Sequence, residues 1–588
     1  MTFSETQTEP TSRDLQADVC VVGGGMAGLC AAIASARGGA RTILVQDRPV
    51  LGGNASSEVR MWICGCHGGD NKETGILEEI LLENLYRNPG LNYPLWDTVL
   101  YEKARFQENL TLLLNTACLR VEAEEDVITG IECWQLTSQT LVRIQAGLFI
   151  DSSGDSVLRY CGAEFRRGRE AKREYNESLG LDEPDDQTMG NSLLLQMREI
   201  DSEDHRPFIP PAWAHHYEEE DLPYRDLKTW KGNNFWWIEF GGVKDTLSDA
   251  EAIRDELYKC ALGVWALIKN HPDGRGHRWE LAWIGSLPGK RENVRYLGDH
   301  VLTQNCIESE GRFEDVVAHG GWTMDDHPPE AINFKGHPTH HSKAPTPYGI
   351  PYRVLYSRNV KNLMFAGRNI SATHLALSST RVMATCSTLG QAAGTAAAMA
   401  IRLKETPRGI FERHVPELRG RLQRDDQYLP WTPREIPELC RKARLEASND
   451  SDPEAVRDGW ERRLKGQDHH WEGNAGDTLT YHFDGPVKLG QVRLVLDSQL
   501  SRVKRMPANY PQKEINEPMP KHLAREFAVE IQTVPEGDWT ELAAVEENRR
   551  RLILLEADLT AVGLRLVVKR NWDESRPSRV YAFDVESA

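Results

Sequence analysis

The chain has 588 residues, of which 40% are hydrophobic, and its 88 acidic against 70 basic side chains give a net charge of −18. That length calls for about two to four domains, and the acidic balance excludes nucleic acid or an anionic membrane as an obligatory partner. No apolar run is long enough to span a bilayer, the first residues lack a signal-like pattern, and the 11 cysteines show no C-x-x-C spacing. A cytoplasmic protein with reduced thiols and no metal centre is therefore expected.

In chain order, residues 1–16 are polar and expected to be disordered. A βαβ unit follows, with a buried strand over Asp18–Val22, a turn Gly23-Gly24-Gly25-Met26-Ala27-Gly28, a helix over Leu29–Arg37 and a second strand over Arg41–Gln46. The turn reads as a dinucleotide cradle: Gly23 permits the tight turn, Gly25 lets backbone approach a pyrophosphate, and Gly28 lets the helix pack on the strand. The acidic residue that normally meets a ribose at the end of the second strand is replaced by Gln46, with Asp47 and Arg48 next. A glutamine amide or the Asp47 carboxylate can each bond a ribose hydroxyl.

Three further segments extend this pattern. Leu51-Gly52-Gly53-Asn54-Ala55-Ser56-Ser57 is a second glycine-lined phosphate approach, and Leu148–Asp155 is an apolar strand ending in the turn Ser153-Gly154-Asp155. Asn362–Asn369 is a strand and turn containing Gly367 and Arg368, and Gly390-Gln391-Ala392-Ala393-Gly394 reads as a helix start of small residues. Such a helix start either faces a flat ring or packs closely on another helix.

Together, and in this order, these segments resemble the FAD-dependent oxidoreductases of glutathione-reductase-like fold, in the branch similar to fumarate-reductase-type flavoproteins, over about Asp18–Ile401. The resemblance implies a Rossmann-type α/β domain holding FAD. It assigns Gly23, Gly25, Met26, Ala27, Gly28, Gln46, Asp47, Arg48, Gly52, Gly53, Asn54, Gly154, Asp155, Gly367, Arg368, Gly390, Ala393 and Gly394 to the cofactor shell. A nicotinamide domain and a redox C-x-x-x-x-C are not found, and Cys64-Gly65-Cys66 reads as two small buried thiols beside a glycine.

Between Arg166 and Tyr352 the βαβ rhythm is lost, as in a substrate domain of α+β type inserted into the FAD domain (17–165, resuming at 353–403). There, Phe235–Glu239 reads as a strand carrying pocket-lining indoles or as core, and Lys290-Arg291-Glu292-Asn293-Val294-Arg295 reads by composition as a solvated charge run, in which the family resemblance implies at least one arginine facing the active site. Asp325 and His327, two apart, would share a face in an extended chain, and a carboxylate-oriented imidazole serves as a general base. His374, after the Gly367-Arg368 turn, is the competing base, and Arg381 a further oxygen-holding cation. His337, His340 and His341 lack a fourth metal ligand at suggestive spacing.

A charged helical linker over 404–453 leads to short alternating strands in 454–588, Thr478–Phe483, Gly490–Leu496, Glu526–Thr533, Arg551–Leu555, Gly563–Lys569 and Arg579–Val585. This is an antiparallel β-sandwich that resembles galactose-binding-like modules, which bind glycans in some proteins and pack or form homo-oligomers in others. The resemblance as a whole implies hydride transfer between flavin N5 and a small polar substrate, a carbohydrate or derived acid. Transient oxidation by an isomerase, lyase or transhydrogenase, and a glycan-binding or assembly role for the sandwich, remain open alternatives.

Overall fold

The structure is a computed structural model that describes residues 10–201, 206–228, 234–502, 506 and 518–588. The described residues gather into two compact units, one from 10–66 and 91–419, the other from 67–90, 420–502 and 518–588.

The first unit is built on a mixed sheet. Strands β1 (Thr11–Val22), β2 (Thr42–Val45), β3 (Leu110–Leu113), β4 (Thr116–Glu124), β5 (Val127–Gln135) and β6 (Thr140–Asp151) take the spatial order β3-β2-β1-β6-β5-β4, and β7 (Leu363–Phe365) lies beside the end of β6. β3, β2, β1, β6 and β7 are parallel, whereas β4 and β5 form an antiparallel extension. Val19, Cys20, Val21 and Val22 are buried, as a parallel strand covered on both faces requires.

Disorder is expected for residues 1–16, yet Thr11–Gln16 extend β1 and pair in register with Thr140–Gln145. Their side chains are mostly exposed, so ladder hydrogen bonds rather than apolar burial hold them, which a search for apolar periodicity passes over. Residues 1–9 lie outside the described residues.

The helix α1 (Met26–Arg37) is buried at every position except Arg37. Between β6 and β7 in the chain lie short two-stranded pairs and the helix α2 (Ala250–Lys269), with a core that includes Leu193, Leu195, Ile253, Leu257, Val264 and Trp265. The strand expected over Phe235–Glu239 is confined to Glu239–Phe240. A turn closed by the Ile238 N–H on the Phe235 carbonyl at 2.9 Å precedes it, with Phe235 and Trp237 buried in that core.

After β7 come α3 (His374–Thr380) and α4 (Met383–Leu403). Gly390, expected at a helix start, lies within α4, and the small residues serve the contact with α1. A Cβ on Gly390 would sit 2.0 Å from the Ala27 carbonyl oxygen, and one on Gly394 2.1 Å from that of Ala31. Ala393 is buried beside them. Close helix packing is therefore what these glycines do.

The second unit is an antiparallel, sandwich-like sheet. Its strands Thr478–Leu496 and Leu552–Asn571 are long and pair along most of their length, with register shifts such as that between His482 and Val487. Each replaces two shorter strands expected from the sequence. Trp471, Leu479, Tyr481, Leu494, Phe527, Leu566 and Phe583 share its core. Trp539–Val545 adds an edge strand, and Arg444–Ala447, within the stretch expected as a helical linker, pairs with Leu479–His482.

Candidate functional site

A cavity of about 560 Å³ lies in the first unit, walled by residues 22–27 after β1, 45–48 at the end of β2, 52–54, and 152–155 after β6. These are the carboxyl ends of parallel strands, where open α/β sheets bind ligands. Gly23 has φ of +102°, and a Cβ there would approach the Ser153 Cα to 2.4 Å. Gly25 is the N-cap of α1 with no side-chain cap, and an added Cβ would meet nothing within 4 Å. The open first turn of a helix faces this space, which suits an anion. Gly28 serves packing instead, since a Cβ there would lie 1.8 Å from the Gly23 carbonyl oxygen, and its absence lets the helix close on the turn.

Gln46 is buried, and its side-chain oxygen accepts the Gly24 N–H at 2.7 Å while its amide nitrogen donates to the Val50 carbonyl at 3.0 Å. The residue that departs from the acidic pattern thus braces the glycine turn. The neighbouring Asp47 carboxylate is 59% exposed at the cavity wall and 3.8 Å from the Arg48 guanidinium.

Further along the wall, Asp155 accepts hydrogen bonds from Lys290 at 2.7 Å, Arg368 at 2.9 Å and Asn293 at 2.5 Å. Burial alone would raise its pKa, but Arg368 and Lys290 outweigh burial and hold it below the usual carboxylate range. Gly154 makes room for this arrangement, since a Cβ there would lie 2.6 Å from the Arg368 guanidinium carbon. Asn54 donates to the Lys290 carbonyl at 3.0 Å, and Gly367 and Arg368 complete this side.

The cavity also reaches Trp236, Arg291, Trp322, Asp325, His327, Thr339, His341 and Arg381. His327 Nδ1 is 2.7 Å from Glu239, while Nε2 is 3.5 Å from Asp325. Arg291 is 3.2 Å from Glu239 and donates to the Ser192 hydroxyl at 2.8 Å. Arg381 bonds the Asp325 carbonyl at 2.9 Å and its carboxylate at 3.2 Å, and the Thr339 hydroxyl donates to the same carboxylate. Burial would raise the Asp325 pKa, yet His327 and Arg381 hold it well below the usual range. Glu239 is likewise lowered: burial is overcome by Arg291 and His327.

His374, expected as a competing base, is buried and not on the cavity wall. Its Nδ1 faces both oxygens of Glu292 at 3.0 and 2.9 Å and its Nε2 faces Asp326 at 2.9 Å. Burial would lower its pKa, but the two carboxylates raise it to about 10. An imidazolium with both nitrogens engaged has no site to take a substrate proton. Arg295 is also internal, bonded to Glu170 at 2.7 Å and to Glu292, so of the two arginines only Arg291 reaches the cavity. Gly390, Ala393 and Gly394, expected in the cofactor shell, stand off the cavity in the contact between α1 and α4.

Met61 and Trp62 line the cavity without any signal in the sequence, and Cys64, expected as a buried thiol, is instead half-buried on the same wall, where Trp62 Nε1 donates to its sulfur at 2.9 Å. Cys66 is buried and bonds the Gly320 carbonyl at 3.5 Å, as a packed structural thiol. The role of Glu239 has no local signal, because it lies 88 residues from His327.

A sequence model of FAD dependent oxidoreductases matches residues 18–422. No curated protein matches the chain. Similar solved structures include a geranylgeranyl bacteriochlorophyll reductase-like protein from Thermoplasma acidophilum, 13% identical over 70% of this chain and 86% of that one, with a TM-score of 0.31. A family 32 carbohydrate-binding module from Streptococcus pneumoniae EndoD is 13% identical over 26% of this chain and 98% of that one, with a TM-score of 0.20.

Proposed function

The chain belongs to the FAD dependent oxidoreductase family and its cofactor is FAD, and from that premise we propose that it oxidises or reduces a small hydroxyl-rich substrate, a carbohydrate or derived acid, with His327 handling the proton. The cradle fits the cofactor: a Cβ on Gly25 would enter open space at an uncapped helix N-terminus, where a pyrophosphate would be held. In this reading Asp47 takes the ribose hydroxyls, because the Gln46 amide is already engaged on the turn. Bound FAD supplies a hydride acceptor or donor at flavin N5.

The observation that carries the assignment is the bond between His327 Nδ1 and Glu239 at 2.7 Å. In the neutral ring with Nδ1–H on Glu239, Nε2 is the nitrogen that accepts a hydroxyl proton, and Asp325, 3.5 Å from Nε2, stabilises the imidazolium that results. Arg291 and Arg381 are each matched by a carboxylate, Glu239 and Asp325. The end of the cavity therefore offers hydrogen-bond donors and acceptors without a large unbalanced charge, which favours hydroxyl groups over a multiply charged ligand. The indoles of Trp236 and Trp322 supply flat apolar surface for the carbon face of a sugar.

The test is anaerobic flavin reduction by a panel of sugars, polyols and sugar acids, followed in the wild type and in His327→Gln. The substrate that bleaches the wild type should reduce the variant about 10²–10⁴-fold more slowly, with flavin content retained. Equal rates in the two proteins would remove His327 from the mechanism, and a panel that neither bleaches the oxidised flavin nor, in its carbonyl forms, reoxidises the reduced flavin would remove the substrate class.

A further inference from the structure

Away from the cavity, α2 carries a second cluster of ligating side chains. Glu256 and Cys260 are four residues apart and so share one face of this helix. His215 arrives from a segment without regular structure that crosses the same face, its N–H bonded to the Lys259 carbonyl at 3.2 Å. The crossing is close because position 263 is glycine: a Cβ there would lie 2.3 Å from the His215 carbonyl oxygen. The His215 imidazole, the Glu256 carboxylate and the Cys260 sulfur thereby come together, one ligand atom from each lying within 4.8 Å of the others.

We propose that His215, Glu256 and Cys260 bind one Zn²⁺ ion, which fastens the segment around His215 to α2. One nitrogen, one oxygen and one sulfur donor form a borderline-soft set suited to Zn²⁺, and the ion would enter by parting the direct His215–Glu256 contact, with the three donors settling at ligand distances of about 2.0–2.3 Å. His215 Nε2 is the nitrogen turned to Glu256 Oε1, while the other carboxylate oxygen, Oε2, is held by Lys259 at 2.9 Å. That leaves Oε1 for the metal and gives the carboxylate an outer partner. Glu256 is held ionised, since Lys259 and His215 overcome its burial. Cys260 is buried, and burial pushes its thiol up to about 11, although the hydrogen bond from Tyr217 works against this. Zn²⁺ would replace the thiol proton, released to solvent, and the charges of thiolate, carboxylate and ion would then cancel. The fourth position falls to water or the Tyr217 hydroxyl, and the half-exposed His215 ring provides the entry side. None of the three ligands lines the flavin cavity, so the site is structural.

The experiment uses the full-length flavoprotein, purified without chelator and without a histidine tag. Elemental analysis and Zn²⁺ titration against a chromophoric chelator should give one tight equivalent, weakened on the order of 100-fold in Cys260→Ser and in Glu256→Gln. Flavin content of each variant confirms that the fold is retained. Absence of stoichiometric binding at micromolar Zn²⁺, or equal affinity in wild type and both variants, would each overturn the site.

Discussion

Gly25→Val separates the cradle from the scaffold. Gly25 has φ of −63° and ψ of 178°, an ordinary extended conformation, and an added Cβ meets no protein atom within 4 Å. The flavin-free protein should therefore fold, with only the poorer N-cap preference of valine to set against it, about 1 kcal/mol. The cofactor feels the change differently. Branched methyl groups in front of the first turn of α1 push the pyrophosphate away from the helix N–H groups, and each lost charge-assisted hydrogen bond costs about 1.5–3 kcal/mol. Two such losses amount to about 3–6 kcal/mol, or roughly 10²–10⁴ in affinity. Flavin fluorescence titration of the apoprotein measures the affinity, and denaturant unfolding without flavin measures the fold. A variant that binds FAD within tenfold of the wild type refutes the cradle, and one whose apoprotein loses several kcal/mol refutes the open space in front of Gly25.

Gly390→Ala should do the reverse, because its Cβ collides with the Ala27 carbonyl: the apoprotein loses about 1–3 kcal/mol in urea unfolding, a loss present with or without flavin. His374, raised to about 10 in the fold from about 6.5 in the unfolded chain, contributes stability that is complete below pH 6.5 and lost as pH rises toward 10. His374→Gln should flatten the decline of unfolding free energy across that window and lower stability by about 3–5 kcal/mol near neutrality, by taking the imidazolium from Asp326 and leaving Glu292 with Arg295 alone. An unchanged pH profile would mean that the imidazole is not held protonated. Arg381→Met, which strips a partner from Asp325, should raise KM for the bleaching substrate while flavin content stays intact. Unchanged kinetics would place Arg381 outside the substrate site.

The parts legible in the sequence are those whose signal is local. Gly23 and Gly25 act within one turn, and the apolar runs at Val19–Val22 and Leu148–Ile150 become buried parallel strands without help from elsewhere. Where local sequence left a role open, the deciding partner is remote. Gly390 and Gly394 read equally as a ring-facing helix start or as close helix packing, because Ala27 and Ala31, whose carbonyls they make room for, belong to the first helix. His374 and His327 look alike as isolated histidines, and only Glu292 and Asp326, 82 and 48 residues away from His374, separate a closed ion pair from a base facing a cavity. Gln46 reads as a blemish at a ribose site, and only its bond to Gly24 reveals its structural role. Thr11–Gln16 carry no apolar pattern, and Trp539–Val545 alternates too weakly to announce a strand.

The strand Leu363–Phe365 has a consequence for how the molecule is made. It fills the position beside Phe149–Asp151, and Asn369 donates to the Asp151 carbonyl across 218 residues of chain. A nascent chain that has reached only residue 352 already contains β1, β2 and β6 but leaves the end of β6 with unpaired N–H and C=O groups. Such an edge invites pairing with another chain, and closing it late is a slow, long-range step. The whole insertion must leave the ribosome before the sheet can be sealed. Translation arrested between residues 166 and 362 should thus yield an aggregation-prone intermediate that binds no flavin, and release of the chain through the end of α4 at Leu403 should be the moment at which solubility and flavin binding appear together.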